Sequence, residues 1–299
     1  MHIRNCIAAP PHNRAVSKCY VRTIAAPFMI YKRKLLLSLV TLSAGLLLGA
    51  CQKPAPVATE APAPAASAPA PAAKVYVVGT DPTYAPFEFQ NEKGEIVGFD
   101  VDVMTAAAKA AGIEIKFVST PWEGAFNALA QGDRDVLISA VTITDERKQT
   151  LDFSESYFEA HQLIAVPEKS KVSKLDELKR SKIGVQTSTT GEEVVAKLLG
   201  KNSANIKRFE STPLALSEMA AGGVDAVVAD NGVISHYLAN NPTAKFKAVN
   251  DASFAPEQYG VAVKKGNTEL LAKINTGLAA IKADGTAQKI QDKYFKPAQ

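Results

Sequence analysis

The chain has 299 residues and a formal charge of +4, yet the positive excess sits entirely in its N-terminal part: eight Lys/Arg face one acid before Lys74, and 26 face 29 from Lys74 onward. The bulk of the chain is therefore mildly acidic, which removes the electrostatic footprint of a nucleic-acid binder. All three cysteines (Cys6, Cys19 and Cys51) also precede Lys74, so the remainder can form neither a disulfide nor a thiolate metal site and must fold on its own apolar core.

Residues 1–28 hold scattered Pro, His and Arg without periodicity, ahead of what reads as a complete export signal. The expectation is that Met29 is the true initiator and residues 1–28 an extension. From Met29 to Ala50, the basic triplet Lys32-Arg33-Lys34 precedes an apolar run shorter than the roughly 20 residues a spanning helix needs. The run ends in "LLGAC" (Leu47 to Cys51), which resembles the lipobox of bacterial lipoproteins. That resemblance implies cleavage before Cys51, lipid (palmitate) on its sulfur and attachment to a membrane. Residues 51–73 are almost pure Pro and Ala after Lys53, a composition that forms no core and serves as a semi-extended tether.

From Lys74 on, strands and helices alternate. "VYVVG" (Val75 to Gly79) reads as a strand ended by Asp81-Pro82. "GFDVDVMTAAAKAAG" follows as a helix with Val101, Met104, Ala108 and Ala111 on one face and Gly112 as its stop. "IEIKFVS", "WEGAFNALAQG" and "DVLIS" continue as strand, helix and strand. The rhythm restarts with "KIGVQ", "TTGEEVVAKLLG" and "IKRFE". A helix then opens with Thr212 as N-cap and Pro213 at its first position, and "VDAVVAD" leads into another. Asn267 is expected to cap a helix striped by Leu271, Ile274, Leu278 and Ile281, and a last helix carries Ile290 and Phe295. Repeated βαβ units predict α/β architecture with mostly parallel sheets in two lobes. "HQLIAVP" (His161 to Pro167) and "EQYGVAV" (Glu257 to Val263) read as extended strands between them. Ligands of open α/β sheets bind beyond the carboxyl ends of the strands, so the candidates are Asp81, Tyr84, Trp122, Ser139 to Thr142, Gln186 to Thr190 and Asp230.

"GTDPTYAPFEF", "GFDVDVMTAAAKAA", "TITDERKQTLDFSESYF", "GVQTSTT" and "VDAVVAD" resemble, in order, the motifs of bacterial extracellular solute-binding proteins of family 3, over about residues 74–295. The resemblance implies a type II periplasmic-binding fold: two α/β lobes, roughly 74–163 plus 259–299 and 164–258, joined by two hinge strands and closing around one amino acid. It implies a monomeric, exported protein, periplasmic or on the outer face of the cytoplasmic membrane, that serves an ABC permease and its ATPase without cofactor or metal. It gives Arg147 the ligand's α-carboxylate, helped by donors at Ala140, Thr142 and Thr190, and gives Asp230 the α-ammonium. Tyr84 and Trp122 become side-chain walls, with Asp81, Ser139 and Gln186 reading the polar end.

Physical chemistry favours those residue types. A guanidinium donates two parallel hydrogen bonds to a carboxylate, which an ammonium cannot match. A ligand lacking one of the two charged groups would strand a buried charge at roughly 3–5 kcal/mol. On spacing alone, Arg147 could equally pair with Asp145, Glu146 or Asp152, and Asp230 could simply cap the helix after it. Asp81 beside two aromatic rings favours a cationic side chain: arginine first, then glutamine, histidine or lysine. An enzyme of the cyclohexadienyl dehydratase type, with Glu88 or Glu123 as general acid, is the rival. An amino-acid sensor or adhesin using the same pocket is another. His161 and His236 are the only histidines after Lys74, too few and too isolated for a triad or a zinc site.

Overall fold

The computed structural model describes residues 74–295; the leader, Cys51, the Pro/Ala tether and the last four residues lie outside that range. Strand β1 (Val75–Thr80) is followed by a small antiparallel sheet of β2 (Thr83–Tyr84), β3 (Glu88–Gln90) and β4 (Ile96–Val97). Helix α1 (Phe99–Ala111) begins at Gly98, whose φ of 140° brings it against the Phe87 carbonyl, where a Cβ would sit 2.1 Å from the oxygen. Asp100 and Asp102 lie in the first turn, favourable to the helix dipole, and Gly112 ends the helix in the left-handed region. Then come β5 (Glu114–Ser119), α2 (Trp122–Gln131), β6 (Val136–Leu137), the short α3 (Asp145–Thr150) and β7 (Leu151–Phe153).

The chain crosses to the second lobe through β8 (Phe158–Ala160) and enters β9 (Gln162–Pro167). There follow β10 (Ile183–Gln186), α4 (Thr190–Leu199), β11 (Ile206–Phe209), α5 (Thr212–Ala220), β12 (Ala226–Asp230), α6 (Asn231–Asn240) and β13 (Phe246–Val249). It returns through β14 (Glu257–Tyr259), which pairs antiparallel with β8, and finishes with β15 (Ala262–Lys264), α7 (Thr268–Ala283) and α8 (Thr286–Phe295).

The two five-stranded sheets share one plan. In the first the order is β5-β1-β6-β15-β7, in the second β11-β10-β12-β9-β13. Three strands in each are parallel and joined through helices; the other two contacts are antiparallel. The sheets are mostly parallel, as expected: four strands of each run one way and one runs against them. That strand, β15 or β9, arrives from the other lobe without a crossover helix, so it is free to run the opposite way. Residues 161–167 differ from expectation. They form an interior strand of the second sheet, and the crossing itself is made by β8 and β14.

Each sheet is coated by helices on its apolar faces. Val103, Met104, Ala107 and Ala108 of α1 meet Leu270, Ile274, Leu278 and Ile281 of α7. The approach is close enough that a Cβ on Gly277 would lie 2.1 Å from the Ala107 carbonyl oxygen. Leu270 joins that stripe more deeply than the expected Leu271, which is only partly buried. The N-cap position of helix α5 falls on Ser211, one residue before the predicted Thr212, without a side-chain capping bond. Among the described residues no helix is long and apolar enough to cross a membrane.

Candidate functional site

Strand β1 ends at Thr80, so Asp81 emerges at the carboxyl edge of the first sheet; β6 delivers Ser139 to Thr142 to the same edge. The second sheet ends β10 at Gln186 and β12 at Asp230 opposite them. The narrow cleft between the edges is lined by Asp81, Tyr84, Trp122, Ser139, Ala140, Thr142, Arg147, Gln186, Thr189, Thr190 and Asp230. All ten residues to which the resemblance gives a role line it, together with Thr189; Val141, Thr187 and Ser188 of the candidate ranges do not.

Arg147 stands on α3, whose N-cap Thr144 accepts from the Arg147 amide at 3.2 Å. Its side chain is committed to the cleft and not to the acids beside it. Nη1 donates to the Thr142 carbonyl at 2.8 Å, and Nη2 reaches across to the Ser188 carbonyl at 3.3 Å. The guanidinium carbon lies 5.4 Å from the Trp122 ring centre and 5.1 Å from that of Phe126. Asp145 and Asp152 pair with Lys148 and Lys265 instead. Burial lowers the Arg147 pKa, and Glu193, Asp230 and Glu257 act against that; a guanidinium stays charged throughout. Two of its five N–H groups are thus occupied, leaving three for an incoming acceptor. Beside it, α4 starts at Thr190 with Thr189 as its cap, accepting from the Glu192 amide at 3.2 Å. A helix N-terminus next to a guanidinium is suited to an anion.

Asp230 is only 6% exposed and sits at the N-cap position of α6 without capping it by its side chain. The carboxylate is turned into the cleft, where Gln162 Nε2 and the Tyr259 and Tyr84 hydroxyls donate to it. Burial first, and the negative charge of Glu257 second, push its pKa up to about 6. Asp81 is held by the Thr83 hydroxyl (3.0 Å) and the Trp122 amide (3.1 Å), with burial raising its pKa. The two lobes touch directly where Trp122 Nε1 donates to the Thr187 carbonyl at 3.1 Å.

Three details differ from the sequence reading. The Ala140 amide, expected to serve a ligand carboxylate, donates to Asp100 at 2.7 Å. The Thr142 and Thr190 hydroxyls, expected in the same role, both donate to Glu257, at 2.7 and 2.9 Å. The Gln186 amide is held on its own lobe, donating to the Glu210 carbonyl and accepting from Thr212, each at 3.1 Å. The physical reason for the first two is that two carboxylates unremarked in the sequence, the buried Asp100 and the half-buried Glu257, compete for those donors. Glu257 and Gln162 were missed, although each is a polar residue opening a strand that turns apolar, a signal worth following at a lobe crossing. Glu88 is fully buried behind Ser139, and Glu123 lines an outer groove; neither lines the cavity.

Comparison with known proteins agrees with this architecture. Residues 76–297 match the model of bacterial extracellular solute-binding proteins, family 3. A probable histidine-binding protein of Neisseria gonorrhoeae is 45% identical over 223 residues, covering 74% of this chain and 83% of that protein. An L-arginine-binding protein of Pseudomonas aeruginosa is 32% identical over 225 residues, covering 73% and 86%. Among solved structures, the arginine-, lysine-, histidine-binding protein ArtJ of Geobacillus stearothermophilus superposes with a TM-score of 0.72 at 44% identity, covering 76% of this chain and 97% of that one. With its two-lobed fold and a family match running through almost every described residue, the chain belongs to the bacterial extracellular solute-binding proteins of family 3.

Proposed function

We propose that this protein is the substrate-binding component of an ABC importer, taking up a basic amino acid, arginine foremost, then histidine or lysine, with glutamine also accommodated. The observation that carries the reading is the distribution of charge around one small cavity. At one end, Arg147 and the N-terminus of α4 meet an α-carboxylate. The carboxylate of Asp230, aimed into the cleft and not at its helix, meets an α-ammonium. Asp81 leaves a further negative charge for the side chain, beside Tyr84 and Trp122. A zwitterion with a cationic side chain neutralises the set, and each unpaired alternative would leave a buried charge exposed to low dielectric.

Delivery follows hinge closure about β8 and β14. A ligand drives closure only by binding the closed form more tightly than the open one; contacts to both lobes supply that difference. Export, cleavage before Cys51 and a lipid anchor on its sulfur complete the proposal, with the Pro/Ala tether setting the reach from the membrane. Capture and not turnover is the role, since neither Glu88 nor Glu123 reaches the cavity as a proton donor.

A thermal-shift and calorimetric screen of the twenty amino acids tests the reading. Basic amino acids at about 100 times their dissociation constant stabilise the protein by about 2.7 kcal/mol. Uniformly null shifts, or turnover of prephenate or arogenate by the purified domain, overturn it.

A further inference from the structure

Behind the cleft, two acids that the binding scheme does not use meet inside the first lobe. Glu88 on β3 and Asp100 on α1 are each 0% exposed, and their carboxyls lie within hydrogen-bonding reach of one another. Each has one oxygen that no donor among the described residues reaches: Oε2 of Glu88 and Oδ1 of Asp100. Their other oxygens are occupied. Glu88 Oε1 accepts from the Ser139 hydroxyl at 3.0 Å; Asp100 Oδ2 accepts from the Ala140 amide at 2.7 Å and the Tyr157 hydroxyl at 2.8 Å. The groups acting on the pair from surrounding elements are Asp81 after β1, Tyr84 on β2, Ser139 and Ala140 after β6, and Tyr157 before β8, and none of them is cationic.

Two carboxylates in contact, buried, with no cation to neutralise them, are incompatible with both being charged. One proton placed between the two unreached oxygens satisfies both at once. Geometry also decides which acid holds it. Asp100 already accepts from a backbone amide, which can only donate, and from a phenol; those two donors favour its anion. Glu88 has only a serine hydroxyl. We infer that Glu88 is the protonated member, donating Oε2–H to Asp100 Oδ1, and that the pair positions the Ser139–Ala140 rim of the ligand cavity.

The pair reaches the rim by two routes. Ser139, fixed by Glu88, accepts from the Asp81 amide at 3.1 Å and so anchors the residue proposed to read the ligand's side chain. Asp100 holds Ala140, a non-glycine residue at φ 47°, in a left-handed conformation that costs about 1 kcal/mol or more without a fixed partner. Glu88 and Asp100 are thus positioning residues. Burial raises both pKa values, Glu88 well above the carboxylate range and Asp100 to about 6, with the charge of Asp100 adding to the effect on Glu88.

The inference about the rim rests on the amino-acid-binding reading, whereas the proton can be read without any ligand. Difference infrared spectroscopy of the intact protein at mildly alkaline pH, where Asp230 and Asp100 have titrated, should show the carbonyl band of a neutral carboxylic acid that disappears in E88Q. Absence of the band, or its survival in E88Q, overturns the proton assignment whatever the protein binds. In calorimetry with arginine, E88Q, whose amide can still donate to Asp100, should stay within about threefold of wild type, while E88L and D100L lose about tenfold or more. A leucine at either position strands the remaining acid and the donors that served the lost one. Equal losses in E88Q and E88L, or wild-type affinity in D100L, overturn the positioning role. Should D100L fail to fold, the E88Q against E88L comparison still decides. If wild type binds no amino acid while the infrared band behaves as described, the binding reading fails and the proton assignment stands.

Discussion

Trp122 and Thr187 lie on opposite lobes, and the indole Nε1 donates to the Thr187 carbonyl at 3.1 Å. In the open form that the proposed hinge closure implies, water would satisfy both groups, and the contact would then contribute only to closure. W122F keeps an aromatic ring over Arg147 but deletes the bond. It should weaken ligand affinity about five- to tenfold, the worth of one buried hydrogen bond, and enlarge the ligand-bound radius of gyration in X-ray scattering. An unchanged affinity would place the closing contacts elsewhere.

Arg147 to Lys removes the planar fork and its bonds to Thr142 and Ser188 while preserving charge. Affinity for the preferred amino acid should drop about a hundredfold or more, with the urea midpoint little changed because α3 has no buried residue. D230N should cause a comparable loss by removing the partner of the ammonium. Retention of wild-type binding in both variants would move the pocket.

Asp230 titrates at about 6 in the ligand-free protein. A bound ammonium favours the charged carboxylate and lowers that value, so binding near pH 6 releases a proton and affinity declines as pH falls through about 6. Calorimetry in buffers of different ionisation enthalpy measures the release. In E257Q the negative neighbour is gone, Asp230 titrates lower, and the pH of maximal proton release should move to more acid values.

Stability should respond to pH in the opposite sense over the same range. Asp81, Glu88, Asp100 and Asp230 all have folded pKa values above their unfolded ones. The folded state therefore binds more protons between about pH 4.5 and pH 6, and stability rises as pH falls through that window. Below about pH 4 the trend reverses, because Asp152, Asp251 and Asp284 have depressed values and lose their contributions there. Urea midpoints of the ligand-free protein should be higher near pH 5 than near pH 7; a monotonic fall on acidification would contradict the buried-acid account.

Gly277 to Ala tests the helix packing. The added Cβ would meet the Ala107 carbonyl at 2.1 Å, and neither helix can yield locally. A loss of about 2–3 kcal/mol in unfolding free energy is expected, with ligand affinity per folded molecule unchanged.

Much of this was legible in the sequence because local signals carried it. Gly112 stops helix α1 where expected, and strand ends mark the cavity because both lobes obey the same α/β rule. What could not be read was who would claim each donor. Ala140 and Thr142 lie two residues apart in sequence, yet one hydroxyl goes to Glu257, 115 residues away, and one amide to Asp100, 40 residues away. Such pairings depend on how long-range sheet contacts bring acids together, and periodicity holds no trace of that. The direction of β9 and β15 was hidden for the same reason.

The interlocked crossing also bears on how the chain acquires its shape. β15 lies between β6 and β7 in the first sheet, but it is made only after every residue of the second. The first sheet must stay split, with a slot at its fourth position, until the C-terminal segment emerges, whereas the second has all five strands in one uninterrupted stretch. Since distant pairings slow assembly, the lobe translated in the middle should mature first and serve as the platform on which the two ends are gathered.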